Sequence, residues 1–252
     1  TQTARQGALA RTSELAPGKP ITGDRGRIAL MPMVVETKDC TSLSDAELSE
    51  MADIGVEESN FDIGFLSKVR EEWVLVTTAR DGGKLRGYSF CTLERIGGTP
   101  SLLVGVAYVT RSSRAETALR AVMGDGFRRA LLAFPDEDVL LGTRLVTSDG
   151  FRAFASLTDV VPASGHRASG EERAWARRLA RRFGAEGALD DRTFIVKGDG
   201  SVTGGLEFRH PNVRLPEGVE ELFEGVDTAR GDRLVVFGWA MAEDLAARRL
   251  PR

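Results

Sequence analysis

The sequence predicts a mixed α/β domain in which helices flank a central sheet. Three observations predict it. Blocks with a strand period and blocks with a helix period follow one another along the chain. Residues Ser101–Val109 are nearly continuously apolar, as in a strand buried on both faces. That run leads through a short polar turn into a helical pattern beginning at Ala115, which makes a strand–turn–helix unit near the middle of the chain.

Length and composition set the bounds. A chain of 252 residues is one large domain, or one domain with an elaborated end, and at about this size more than two-thirds of the unfolded surface is hidden. Hydrophobic residues at 42% and charged residues at 28% are ordinary for a globular protein. No apolar run approaches the roughly 20 residues needed to span a bilayer, and Thr1–Gly18 has no secretory apolar core. Cys40 and Cys91 have no metal-ligand spacing and are too few for a disulfide framework. A reduced, cytoplasmic setting without a membrane is the expectation. A formal charge of −3 gives no reason to expect nucleic acid. Of the 34 basic residues only five are lysine, a bias that fits either bidentate anion recognition or a GC-rich coding sequence.

The elements follow in order. Residues 1–27 mix Gly, Pro, Ser and Thr with charges and no apolar period, so a flexible arm is expected. Residues 28–35 read as a first strand, with Pro32 indicating an edge or a bulge. Ser44 and Glu47 have capping-box spacing, Leu43 and Leu48 the spacing of a hydrophobic staple, and Leu48, Met51 and Ile54 share a helical face. A second helix is expected over Phe61–Val69. Glu72–Thr78 and Leu85–Glu94 read as a hairpin about Asp81-Gly82-Gly83, and Gly97-Gly98 turns the chain into the central strand. The helix from Ala115 should break or kink at Gly124-Asp125-Gly126, because interior glycines cost about 1 kcal/mol each. Val139–Val146 reads as a strand, followed by a short helix over Gly150–Leu157 capped by Ser148-Asp149. Farther on come a charged helix (Glu171–Phe183), a strand (Thr193–Lys197), a helical piece (Val219–Phe223), a strong strand (Arg233–Trp239) and a closing helix (Ala242–Arg249).

This order, over Glu72–Leu157 above all, resembles the GNAT (GCN5-related N-acetyltransferase) superfamily. The resemblance implies a GNAT-like acyl-CoA N-acyltransferase fold with a core over 28–162. Residues 163–252 would then complete the sheet and the acceptor side. In that family the central strand runs into a turn of the form Arg/Gln-x-x-Gly-x-Gly/Ala. Its amides, with the positive end of the next helix, hold the pyrophosphate of an acyl-CoA. The corresponding residues are Arg111-Ser112-Ser113-Arg114-Ala115-Glu116, with Arg114 and Glu116 at the two glycine positions. The resemblance therefore implies that Val109, Arg111, Ser112, Ser113, Arg114 and Ala115 face acetyl-CoA or another acyl-CoA. A second family pattern ends in a tyrosine that protonates the departing thiolate; Thr147 and Phe154 align with its Asn and Tyr, which leaves Ser148 or Thr147 as substitute donors.

Amide formation from a thioester needs an unprotonated amine and a donor for the developing oxyanion. The resemblance implies a splay near the end of the central strand, which puts Ala107–Val109 at the acyl group. Tyr108 could line that site, and Glu94, Glu57 or Glu58 could serve as base through water. His166 and His210 read as loop residues, and Cys91 as a small buried side chain. The five arginines of 171–183 read as a solvated face paired with Glu171 and Glu172, or as a docking surface for an acidic partner or nucleic acid. Two functions are carried forward. One is an N-acyltransferase moving an acyl group from a CoA thioester to an amine of a small molecule or protein. The other is a catalytically silent binding or assembly module on the same fold. The last strong strand, Leu234–Phe237, could close the sheet or lend its edge to a second copy in a homodimer.

Overall fold

A computed structural model of the chain describes residues 32–57, 59 and 61–251. The expected N-terminal arm, the first four residues of the expected opening strand (28–31) and Glu58 lie outside the described residues. The elements in order are β1 (Val34–Asp39), α1 (Asp45–Asp53), α2 (Ile63–Glu72), β2 (Leu75–Asp81), β3 (Lys84–Ile96), β4 (Thr99–Val109), α3 (Ala115–Ala133) and β5 (Val139–Leu145). A 3-10 turn over Ser148–Phe154 leads to β6 (Thr158–Val161), α4 (Gly170–Arg182), β7 (Leu189–Asp190), β8 (Ile195–Val196) and β9 (Leu206–Glu207). A second 3-10 turn, Val219–Phe223, precedes β10 (Arg233–Ala240) and α5 (Ala242–Ala246).

These strands form one mixed sheet in the order β1-β2-β3-β4-β9-β5-β10-β8-β7, with β6 also paired to β10. The first four strands are an antiparallel meander. The β4–β5 pair is parallel, as a helical crossover through α3 requires. Helices flank the sheet, so the α/β class expected from the sequence is the observed one. Among the described residues no helix is long and apolar enough to cross a membrane.

Local chemistry explains most of these boundaries. Ser44 and Glu47 form the expected capping box at α1, and Ser169 and Glu172 form another at α4. Gly82, Gly83, Gly97 and Gly98 all have positive φ, so the two hairpin turns sit at residues free of the Cβ penalty. Among the described residues β1 begins at Val34 and pairs on one side, with β2, leaving Val34 and Val35 exposed.

Several expectations are corrected. The helix α3 runs unbroken through Gly124-Asp125-Gly126. Gly126 gives Leu102 the room it needs, since a Cβ there would lie 3.0 Å from the Leu102 side chain. Asp125 accepts bonds from Thr37, Arg128 and Arg129, so packing and side-chain bonds outweigh the weak propensity of two glycines. The segment after β5 is a 3-10 turn whose cap, Thr147, makes no side-chain capping bond; its hydroxyl donates to the Phe208 carbonyl instead, at 2.9 Å. The α4 arginines pair with carboxylates from other segments and not with Glu171 and Glu172. Arg181 meets Glu186, Arg177 meets Asp191, and Arg182 meets Glu94. Finally, β10 lies inside the sheet, with β5 on one side and β6 and β8 on the other, so it has no edge to lend to a second copy.

Candidate functional site

The site is built where β4 leaves β5. From Ser101 to Val104 the two strands are paired in register with Leu140–Thr143. Gly105 is then an extra residue, because Cys91 and Phe90 of β3 face Val104 and Val106. Such a bulge bends its strand. Trp73 fills the space a side chain would need: a Cβ on Gly105 would sit 2.0 Å from the indole ring. Beyond the bulge the strands part.

The fork is filled by the chain itself. β9 lies between the two strands, parallel to both, with Leu206 opposite Ala107 and Leu145 and with Glu207 opposite Tyr108. The Ala107 N–H donates to the Gly205 carbonyl at 3.0 Å, and the Val146 N–H donates to the Leu206 carbonyl at 3.2 Å. Leu206 and Phe208 are almost fully buried. Two glycines make the approach possible. A Cβ on Gly204 would be 2.9 Å from both the Arg144 guanidinium and the Gly105 carbonyl, and one on Gly205 would be 2.8 Å from the Arg144 carbonyl. The sequence shows these residues only as a turn signal.

Register then places three polar side chains in a row across β3, β4 and β9. Tyr88 faces Tyr108, and Tyr108 faces Glu207. The two rings are 6.2 Å apart, and the loop after α1 covers them, with Gly55 against the Tyr108 ring and Ser59 bonded to Glu207. The Tyr88 hydroxyl is buried and has no partner among the described residues; burial, with Tyr108 and Glu207 nearby, holds its pKa well above the usual phenol range. Burial raises the Glu207 carboxyl, although Ser59 and Arg209 pull it part of the way back. Glu207 and Tyr88 were not singled out from the sequence. Their only signal is positional, one on a two-residue strand and one on a hairpin strand, and it emerges from register.

The structure disperses the other expected residues. Tyr108 and Val109 are buried at the fork. Glu94 is paired with Ser101, at the opposite end of β4 from Tyr108. Seven strand residues separate the two levels, about 23 Å at 3.3 Å each, and the Glu94 carboxylate is held by Arg182 at 2.6 Å. Glu57 is exposed on the loop after α1.

The turn after β4 is closed by its own groups. The Arg114 N–H donates to the Ser112 hydroxyl at 3.3 Å, and the Ala115 N–H to the Ser112 carbonyl at 3.1 Å. The Arg114 side chain points back to Asp81 at 2.6 Å, and Glu116 is held by Arg152 and Arg120. Arg111 and Ser113 are exposed. Arg111 and Ser148 line one cleft of about 360 Å³ together with Asp149, Arg209 and His210. Phe154 is buried against Phe151 and offers no proton. His166 is exposed and bound to Glu172, and burial pushes both cysteine thiols up to about 12, which removes them as nucleophiles.

No family model matches the chain, and no curated protein matches it in sequence. The solved structures similar to it include the following two. Aminoglycoside 6'-acetyltransferase type Ii shares 14% identity at a TM-score of 0.36, covering 52% of this chain and 88% of its own. Escherichia coli ElaA shares 13% at 0.32, covering 53% of this chain and 94% of its own. Likeness at that level carries nothing about substrate or catalytic residues. Strand order, the bulge at Gly105 and the fork define the fold.

Proposed function

We propose that the chain is an acyl-CoA-dependent N-acyltransferase of the GNAT type, for an amine of a small molecule or protein, whose acyl slot is closed by its own β9. One observation supports this above the others. β4 bulges, parts from its parallel neighbour and enters a turn and a 19-residue helix, and the fork so made ends on a buried row of two phenols and a carboxyl. In the closed arrangement the slot does not accept a pantetheine chain, because Gly205 and Leu206 hold the Ala107 and Val146 amides. Catalysis then requires β9 to leave, freeing those two N–H donors.

A specific observation favours a second reading, a silent binding or assembly module. β9 is hydrogen-bonded on both sides and its side chains belong to the core, as in a permanent strand.

The variant Gly205→Ala separates the two. Titration calorimetry with acetyl-CoA and longer acyl-CoAs, together with release of free thiol in the presence of amines, should show binding and turnover in the variant. If the variant exposes the Ala107 and Val146 amides to exchange and still takes up no acyl-CoA, the acyltransferase reading falls and the silent module stands.

A further inference from the structure

We propose that the cavity between α2, the end of α4 and residues 197–204 is a binding site for a small organic carboxylate, held by the Arg144 guanidinium. The cavity has a volume of about 370 Å³ and Arg144 lines it, a size at the lower end of small-molecule sites.

The cavity holds a buried charge without an ion-pair partner among the described residues. Arg144 is 7% exposed. Its Nε has no partner, its Nη2 reaches only the Gly105 carbonyl at 3.5 Å, and no carboxylate lies within ion-pair distance of it among the described residues. Burial and the neighbouring charge of Arg233 lower its pKa to about 10, with Glu72 opposing from a distance, so it is still a cation at neutral pH. A buried charge without a counter-ion is costly, and such groups are ordinarily paired. Two of the other charges on the cavity wall are engaged: Lys197 is bound to Asp232, and Asp199 accepts from the Ser201 amide and hydroxyl. Glu72, exposed on the same wall, acts on Arg144 through its charge but makes no ion pair with it among the described residues.

The walls narrow the class of ligand. The Phe183 ring lies 4.7 Å from the guanidinium carbon and packs against it, and a guanidinium is the cation whose fork suits paired bonds to a carboxylate. Val69, Trp73 and Val106 give an apolar floor, and Thr203 a polar rim. Glu72 and Asp199 on the same wall disfavour a dianion, so a single carboxylate on an apolar or aromatic body suits the site better than phosphate. The inference does not rest on the acyl-transfer reading. Under that reading the carboxylate would be that of an acceptor that also carries an amine, because Val106 and Tyr108 are alternate residues of β4 and share a face.

The test uses the intact chain, with calorimetric titration and thermal unfolding against benzoate and phenylacetate. Benzamide is the neutral control and inorganic phosphate the bare anion. Benzoate or phenylacetate should raise the melting temperature and bind at least tenfold more tightly than benzamide, and Arg144→Gln should lose at least tenfold of that affinity. Because the substitution removes an unpaired buried charge, Arg144→Gln without ligand should melt no lower than the parent chain, so loss of binding is not loss of fold. The proposal is overturned if neither carboxylate shifts the transition, if benzamide or phosphate binds as well, or if Arg144→Gln alone lowers the melting temperature.

Discussion

Gly205→Ala is the perturbation that the fork makes most informative. The glycine has no positive φ, so alanine is acceptable to its own backbone. The strain comes from outside, from a Cβ 2.8 Å from the Arg144 carbonyl, an oxygen fixed in the β5 ladder opposite Val235. The closed state gains three hydrogen bonds at the fork, each contributing about 1 kcal/mol net. Burial of Leu206 and Phe208 adds about 2 kcal/mol each. The total, on the order of 7 kcal/mol, leaves the slot open in about one molecule in 10⁵. A ligand that needs the open slot has its apparent dissociation constant raised by that same factor. An acyl-CoA of micromolar intrinsic affinity would then show no measurable binding to the parent chain. Gly205→Ala removes much of the advantage of closure and should bring binding into the micromolar-to-millimolar range of calorimetry. Hydrogen exchange at Ala107 and Val146 reports whether β9 has left. Fast exchange without acyl-CoA binding would refute the gated enzyme. Unchanged exchange would refute the steric argument itself. Thr147→Val, which removes only the bond to the Phe208 carbonyl, provides a milder check, with a rise in opening of about fivefold for 1 kcal/mol.

Other predictions follow from the same geometry. Glu207 has a raised pKa in the folded state, so the folded chain holds its proton longer and this contribution to stability weakens as pH rises from the normal glutamate range through the folded value. β9 should therefore be better protected from exchange at pH 5 than at pH 8, after correction for intrinsic rates, and Glu207→Gln should flatten the difference. Gly105→Ala places a Cβ 2.0 Å from the Trp73 ring and should cost about 3 kcal/mol through overpacking, with a red-shifted indole emission as the accompanying sign; a cost under about 1 kcal/mol would show the bulge to be tolerant. Asp232 is fully buried; although burial alone would raise its pKa, donors from Gly198, Lys197, Arg230 and Asp227 hold it well below the usual carboxylate range. Its contribution is present above the unfolded pKa and is lost as pH falls through the folded one. Asp232→Asn should accordingly lower the melting temperature at pH 7, with an effect that begins to shrink as pH falls below the normal aspartate range and is still substantial at pH 3.

Elements whose identity is local were legible in the sequence. The capping box at Ser44, the Gly82-Gly83 hairpin and the long apolar β4 each carry their signal within a few residues. The errors came where a distant partner decides. The α3 glycines read as a break, yet Leu102 from β4 needs the space at Gly126. The Ser148-Asp149 pair read as a cap, yet the segment 207–210 takes the bonds: the His210 amide donates to the Asp149 carboxylate at 2.8 Å. Glu94 read as a base because its strand was right, but its level along that strand is set by the register of the hairpin.

The same reasoning explains why β9 could not be read. Two residues cannot establish a strand by propensity or period, and parallel strands take their pairing from neighbours already in place. What specifies this one is the absence of two side chains, at Gly204 and Gly205, each matched to a carbonyl or guanidinium from another strand. In sequence, that pair looks the same as any glycine turn. In the fold it decides whether the fork is open. A chain using the fork for a ligand alone has no need of a segment shaped to fill it. A chain that only needed a closed sheet could have continued the β4–β5 ladder without a bulge at Gly105. Both are present here, an opening made by one glycine and a closure admitted by two others, and the proposed gate would use both.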